Sequence, residues 1–333
     1  MSSITKSRKD DHIRICLEKQ VEFAKSNGFE RIELEHRALP EMSRDDINLS
    51  TKFLGKKFSS PIFIEAMTGG TKSGEKINKN LAKAAEALGI GMGVGSQRAM
   101  LEDAKLTRTY FLRDVAPNVF LLGNIGAAQL RQYEMDKILS LAGLINADGL
   151  AVHLNVAQEL AQKEGDKSWK GIYSDIKQLC SEAKFPVVVK ETGCGISGEL
   201  SRKLAFAGAK AIDIAGAGGT SWVKVDAYRT DEDVTHLEEW GIPTADALKD
   251  VVANVKIPII ASGGIRTGIG VAKAIAMGAS LAGIALPLLK PATESWTSVR
   301  DHLEKIISQL EDAMFLVGAK NLNELRKVRV IYT

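Results

Sequence analysis

Cysteine is scarce in this chain: Cys16, Cys180 and Cys194 are the only three in 333 residues. They stand far apart, their number is odd, and no His/Cys/Asp/Glu group has zinc-ligand spacing. Neither a disulfide framework nor a structural zinc site is therefore expected, and a reducing cytoplasm is the expected compartment. A surplus of one charge is also missing. Lys and Arg number 44 against 41 Asp and Glu, a net charge of +3, too little to hold nucleic acid or a membrane surface by bulk charge. Residues 1–11 carry Lys6, Arg8, Lys9, Asp10 and Asp11 but no apolar run, so no signal peptide or spanning helix is expected there. No linker divides the sequence, and residues 1–333 are expected to form one domain.

What the chain does have is rhythm. From residue 61, eight short apolar runs recur, at 61–68, 89–95, 119–125, 149–155, 185–190, 209–214, 257–262 and 281–286. Runs apolar on both faces are what a parallel sheet covered by helices requires. Between them lie stretches of helical periodicity, including 74–88, 136–144, 169–183, 200–207, 244–255 and 268–277. This alternation predicts an α/β fold, an eight-stranded parallel β/α (TIM) barrel, with closing helices over 295–316 and 321–327. Ahead of it, residues 1–57 form an extension with a helix expected over 13–24. By itself the extension reads as a solvated tail; its alternative is an arm folded over the site. The polar insertion 220–241 is long enough for a lid.

Chemistry in such a barrel sits at the carboxyl ends of the strands. The fourth run ends in His153-Leu154-Asn155 and leads into a helix near Gln158-Glu159. Strand alternation puts His153 and Asn155 on one face. Gly263-Gly264-Ile265-Arg266 follows the seventh run and Ala285-Leu286-Pro287 ends the eighth, the loop pair that commonly binds phosphate through backbone amides. Gly216 to Ser221 extends that surface. Lys190 ends an apolar strand, where an unpaired ammonium is costly; it faces either Glu191 or a bound anion. Met67-Thr68, Ser96-Gln97-Arg98 and Asn124 complete a ring of polar groups at one end, although each alone has an ordinary reading as a turn or core residue. Glu159 can be a plain first-turn carboxylate, or a magnesium ligand if substrate phosphates complete the shell.

Taken in order, these motifs resemble the type 2 isopentenyl-diphosphate isomerases, FMN-dependent barrel enzymes of isoprenoid synthesis. The resemblance spans almost the whole chain. Its most specific parts are Arg8-Lys9-Asp10-Asp11-His12, Ser96-Gln97-Arg98, and His153-Leu154-Asn155 with Gln158-Glu159. It implies that FMN is held by Ala66, Met67, Thr68, Ser96, Asn124, Lys190, Thr220, Gly264, Ile265, Arg266, Ala285 and Leu286. It further implies that the diphosphate end of the substrate is bound by Arg8, Lys9, His12, Ser96, Gln97, Arg98, His153 and Asn155, that Trp222 covers the apolar tail, and that Glu159 binds Mg2+. Gln158, His153 and Lys190 are the implied catalytic residues, Gln158 orienting the alkene or relaying a proton. The implied reaction moves a double bond with no net redox change yet requires reduced flavin, with NADPH as reductant. The implied state is a cytoplasmic homo-oligomer, tetramer or octamer, with neither nucleic acid nor membrane as partner. One departure is Ala215, where family members often carry a flavin-contacting Ser or Asn.

Three other readings share the barrel. A 2-hydroxy acid oxidase needs a His base beside Arg groups near the strand-seven loop, and beyond that strand this chain has only His302, in a C-terminal helix. A purine-nucleotide dehydrogenase needs a nucleophilic Cys, for which Cys194 lacks an activating base. A non-catalytic flavin binder would have no use for Arg98, His153, Gln158 and Glu159.

Overall fold

The computed structural model describes residues 2–230 and 233–333, with side chains from Arg8 onward. Eight strands, β1 (Ile62–Ile64), β2 (Gly91–Gly93), β3 (Phe120–Gly126), β4 (Gly149–His153), β5 (Val187–Lys190), β6 (Ala211–Asp213), β7 (Ile259–Ala261) and β8 (Leu281–Ile284), close a parallel barrel in chain order. β8 pairs back onto β1 through Ala282 with Ile62 and Ile284 with Ile64. All eight apolar runs thus become staves. Almost every stave residue is buried, and an aliphatic side chain gains about 1.5–3 kcal/mol on full burial, so the runs have no stable alternative at the surface.

Helices α2 (Lys72–Leu88), α4 (Met135–Leu144), α6 (Ile172–Glu182), α7 (Gly198–Phe206), α9 (Thr244–Asn254) and α10 (Gly268–Ala276) cover the barrel, the short α3 (Arg98–Glu102) and α11 (Leu289–Glu294) follow β2 and β8, and α12 (Trp296–Leu316) and α13 (Leu322–Leu325) close it. Their starts follow side-chain capping: Thr71, Ser197, Thr267 and Ser295 each accept an amide of the first turn. At the amino ends of the staves, the hairpin Thr51–Phe53 with Lys56–Phe58 packs Phe53 edge-on and Phe58 tilted against Phe120. That plug fills one mouth of the barrel and leaves the other for chemistry.

The arm differs from the sequence expectation in its boundaries. Helix α1 runs Ser2–Glu18 rather than 13–24. Residues 21–23 are instead extended, because Ser221 donates its amide to the Val21 carbonyl and Phe23 donates to Gly219; a strand-like pairing that buries Val21 and Phe23 outweighs further helix. The arm then continues along the barrel, where Ile32–Leu34 pairs antiparallel with Val330–Tyr332. Far from a solvated tail, it buries Ile15, Val21, Phe29 and Ile32.

The 220–241 insertion also differs from a plain loop. It contains α8 (Trp222–Thr230) and a 3-10 turn at Thr235–Leu237. Val223, Val225 and Asp226 are buried, Val225 in a small cluster with Ile15 and Val21. Val223 joins a separate cluster with Ala157 and Ala161, so α8 is buried on two sides rather than along one stripe, and its sequence reads as loop because it lacks a single apolar face. Among the described residues no helix is long and apolar enough to cross a membrane.

Candidate active site

Strand register builds the site. Gly126 lies beside His153, His153 beside Lys190, and Lys190 beside Asp213, so four neighbouring staves present their last residues in one row. A single cavity opens over that row. It is lined by Ala66, Met67 and Thr68 after β1, Ser96 and Arg98 after β2, Asn124 of β3, and His153 and Asn155 at β4. Lys190, Ala215, Thr220, Trp222, Gly264 to Arg266, Ala285 and Leu286 continue the wall, and Arg8, Lys9 and His12 of α1 close it from above. The short helix α5 (Val156–Ala161) adds Gln158 and Glu159. Every residue expected from the sequence to hold cofactor, substrate or metal therefore lines one cavity except Gln97. That side chain is fully buried and spent on the fold: it donates to the Leu141 carbonyl and Met100 Sδ and accepts from the Asn124 amide. Unlike the other residues expected to bind substrate, Gln97 does not line the cavity.

Charge is unevenly distributed around the cavity. Arg8, Lys9 and Arg98 converge on one wall. Lys9 donates to the Ser96 carbonyl at 2.8 Å and to Tyr110 Oη at 2.6 Å. Burial, and then Arg8, bring its ammonium down to about 7. Burial, and then Arg98, lower Arg8. Arg98 has Glu102 at 3.0 Å and Arg8 has Glu164 at 3.8 Å, yet Arg8 and Lys9 remain depressed, and cations in that condition favour a further anion in the cavity.

His153 is held in one tautomer. Asn124 Nδ2 donates to the Val94 carbonyl, so Asn124 Oδ1 is the atom that meets His153 Nδ1 at 2.8 Å. Nδ1 carries the proton, and burial, Lys190 and Lys9 push the ring's pKa to about 3. Beside it, Asn155 donates to Glu159 Oε1 at 2.8 Å, while Glu159 Oε2 accepts the Asp166 amide. Asn155 Oδ1 is buried without a hydrogen-bond partner. An orphaned carbonyl oxygen next to a carboxylate fits a hydrated cation.

At the opposite wall, the amides of Gly264, Ile265 and Arg266 find no acceptor among the described residues. Gly263 and Gly264 have φ of 105° and 74°, and a Cβ on Gly264 would strike the Gly218 carbonyl, so the turn needs glycine on both counts. Free amides on a glycine turn ahead of α10 fit a phosphate group.

The sequence profile of FMN-dependent dehydrogenases matches residues 11–128 and 130–331. An isopentenyl-diphosphate delta-isomerase of Pyrococcus furiosus is 48% identical over 98% of this chain and 86% of its own length. One of Nostoc sp. is 45% identical over 98% and 95%. The chain belongs to the isopentenyl-diphosphate delta-isomerase family. Among solved structures, a flavocytochrome b2 mutant with pyruvate bound superposes with a TM-score of 0.71 at 17% identity, over 96% of this chain and 82% of its own, a likeness of fold.

Within this isomerase family member, sequence reading missed the acids. Asp226 of α8 accepts from Gln158 Nε2 at 2.9 Å and Gln162 Nε2 at 2.8 Å, and meets His12 Nε2 at 3.1 Å. Lys190 pairs with Asp213 at 2.9 Å and Glu65 at 3.4 Å. Glu191, the partner suggested by adjacency, instead accepts the amides of Thr192, Gly193 and Cys194. A signal existed for two of the three: Ile64-Glu65 and Ile212-Asp213 put carboxylates at the ends of apolar strands, where burial demands a cation. Ala215 lines the cavity at φ 40° and offers no side-chain hydrogen bond there. Arg266 donates to the Gly264 carbonyl and pairs with Glu22 of the arm.

Proposed function

We propose that this cavity converts isopentenyl diphosphate to dimethylallyl diphosphate, a 1,3-shift of the double bond without net redox change, using reduced FMN, Mg2+ as bridging ion and NADPH as the source of reducing equivalents. The observation that carries the reading is the crowded cationic wall of Arg8, Lys9 and Arg98, on the same cavity as a flavin-type phosphate turn. A flavin alone needs one anion site; this cavity offers two.

In this reading Gly264, Ile265 and Arg266 hold the FMN phosphate with their amides, and Lys190 faces the ring. Bound in its reduced form, the flavin supplies or accepts the proton of the allylic shift. The chain's own groups do the rest. Arg8, Lys9, His12, Arg98, His153 and Asn155 take the diphosphate, whose charge restores full protonation of Lys9. Glu159 and the free Asn155 Oδ1 hold the magnesium together with phosphate oxygens. Gln158, fixed by Asp226, presents its amide to the alkene. Trp222, edge-on to His12 with ring centres 5.3 Å apart, shields the apolar tail from water. The working state proposed is a cytoplasmic homo-oligomer.

The test is product analysis with the flavin-loaded protein, Mg2+ and isopentenyl diphosphate under anaerobic reduction by NADPH or dithionite. Dimethylallyl diphosphate should accumulate only while the flavin is reduced and without its oxidation. Reduced enzyme that leaves the substrate unchanged would overturn the reading and direct the next assay to 2-hydroxy acids.

A further inference from the structure

The cavity floor carries an unbalanced charge. Glu65 at the end of β1, Lys190 on β5 and Asp213 on β6 meet across the barrel, and each side chain is more than nine-tenths buried. One ammonium faces two carboxylates, and a buried net charge is expensive. The two acids are not equivalent. Asp213 receives Lys190 at 2.9 Å and the Ser262 hydroxyl at 2.5 Å. Glu65 has the 3.4 Å approach of Lys190 and lies against the Asp213 carboxylate, and no donor satisfies either of its oxygens. Its pocket exists because residue 283 on β8 is glycine, whose Cβ would collide with Glu65 Oε1. Beyond this triad, Lys190 also gives a hydrogen bond to the Glu191 carbonyl, the Glu191 carboxylate is tied to three amides, and His153 beside Lys190 is neutral.

We propose that Glu65 is the protonated member of this triad and the proton store of the flavin site, taking up a proton from water when negative charge is added to the ring facing Lys190. The inference rests on the flavin reading above. In alkaline solution, where oxidised enzyme has an ionised Glu65, reduction then balances as two electrons and one proton to the ring and a second proton from solvent to the Glu65 carboxylate. Burial, and then Asp213, raise this carboxyl to about 8, against the pull of Lys190, which puts the change within reach of experiment.

Two measurements test it. In infrared difference spectra, flavin-free protein should show the C=O stretch of a protonated carboxyl group that vanishes as pH passes about 8 and is missing from Glu65→Gln. In spectroelectrochemistry, each proton taken up with two electrons adds about 30 mV per pH unit. The wild-type flavin potential should therefore steepen from about 30 to about 60 mV per pH unit on passing into alkaline solution, while Glu65→Gln keeps the shallow slope. A wild-type potential with one slope throughout overturns the proposal, as does an infrared band that persists in Glu65→Gln, which would assign the proton to Asp213 or Glu191. The infrared arm needs no cofactor, so failure of the flavin reading and failure of the Glu65 assignment remain distinguishable, and the wild-type titrations stand even if the variant does not fold.

Discussion

Replacing Asp226 with asparagine tests whether one carboxylate ties the arm and α8 to α5. Asp226 is fully buried and meets four groups, His12, Gln158, Gln162 and Arg229, all within 3.1 Å. Burial raises a carboxyl pKa, yet the partners, His12 foremost, overcome it and hold Asp226 at about 2. A carboxylate depressed in the folded state adds stability that is complete above its unfolded value, near 4, and is lost as pH falls toward about 2. At about 1.4 kcal/mol per pKa unit, the shift amounts to about 2.5 kcal/mol at neutral pH. Asparagine keeps the shape but turns an N–H toward one of the donors, so the deficit should be about 2–4 kcal/mol. Urea denaturation of both flavin-free proteins should give that deficit unchanged from pH 7 to about 5 and shrinking below about 4. Limited proteolysis should cleave the arm of the variant sooner. A deficit under about 0.5 kcal/mol at pH 7, or one that stays constant on acidification, would refute the reasoning.

Gln158→Ala should retain bound flavin, measured by its absorbance, while turnover falls by about 100-fold or more; wild-type turnover would remove Gln158 from the chemistry. Glu159→Gln should raise the Mg2+ concentration needed for half-maximal activity by about 10-fold and leave the FMN dissociation constant unchanged, and a superimposable magnesium titration would count against its role. His153, pushed to about 3 by burial, Lys190 and Lys9, should show no imidazole titration by NMR between pH 5 and 9. The unfolded chain takes up that proton near the ordinary histidine value, so His153 also contributes a loss of stability that grows as pH falls from about 6.5 toward about 3.

The barrel was legible because its staves are written as uninterrupted apolar runs. Val187-Val188-Val189 reads as a strand buried on both faces, and a polar residue at or just beyond the end of nearly every run, such as Thr68, Ser96, Asn124, His153 and Lys190, marks the same rim. Helix α8 was not legible for the complementary reason. Its buried residues, Val223, Val225 and Asp226, are few and one is an acid, so local periodicity is faint. What stabilises it is packing against α1 and α5, a tertiary contribution that no window of sequence contains. The same holds for residues 21–23, which read as helix but pair with Gly219 and Ser221 almost two hundred residues away.

The site residues visible in the sequence are those that line the cavity, whereas the acids that pair with them were hidden. Lys190 shows why. Adjacency offers Glu191, but successive strand residues point to opposite faces, so the neighbour in sequence is the one carboxylate that cannot share the barrel interior with it. Register supplies the true partner: Asp213 stands beside Lys190 on the next stave, and Glu65 reaches it from the first. The same step applies at Gln158, whose amide is fixed from α8 by Asp226, 68 residues on. In a barrel of this kind, the orienting acid of an inward-facing cation at a strand end is therefore to be sought at the ends of other strands before it is sought next door in the chain.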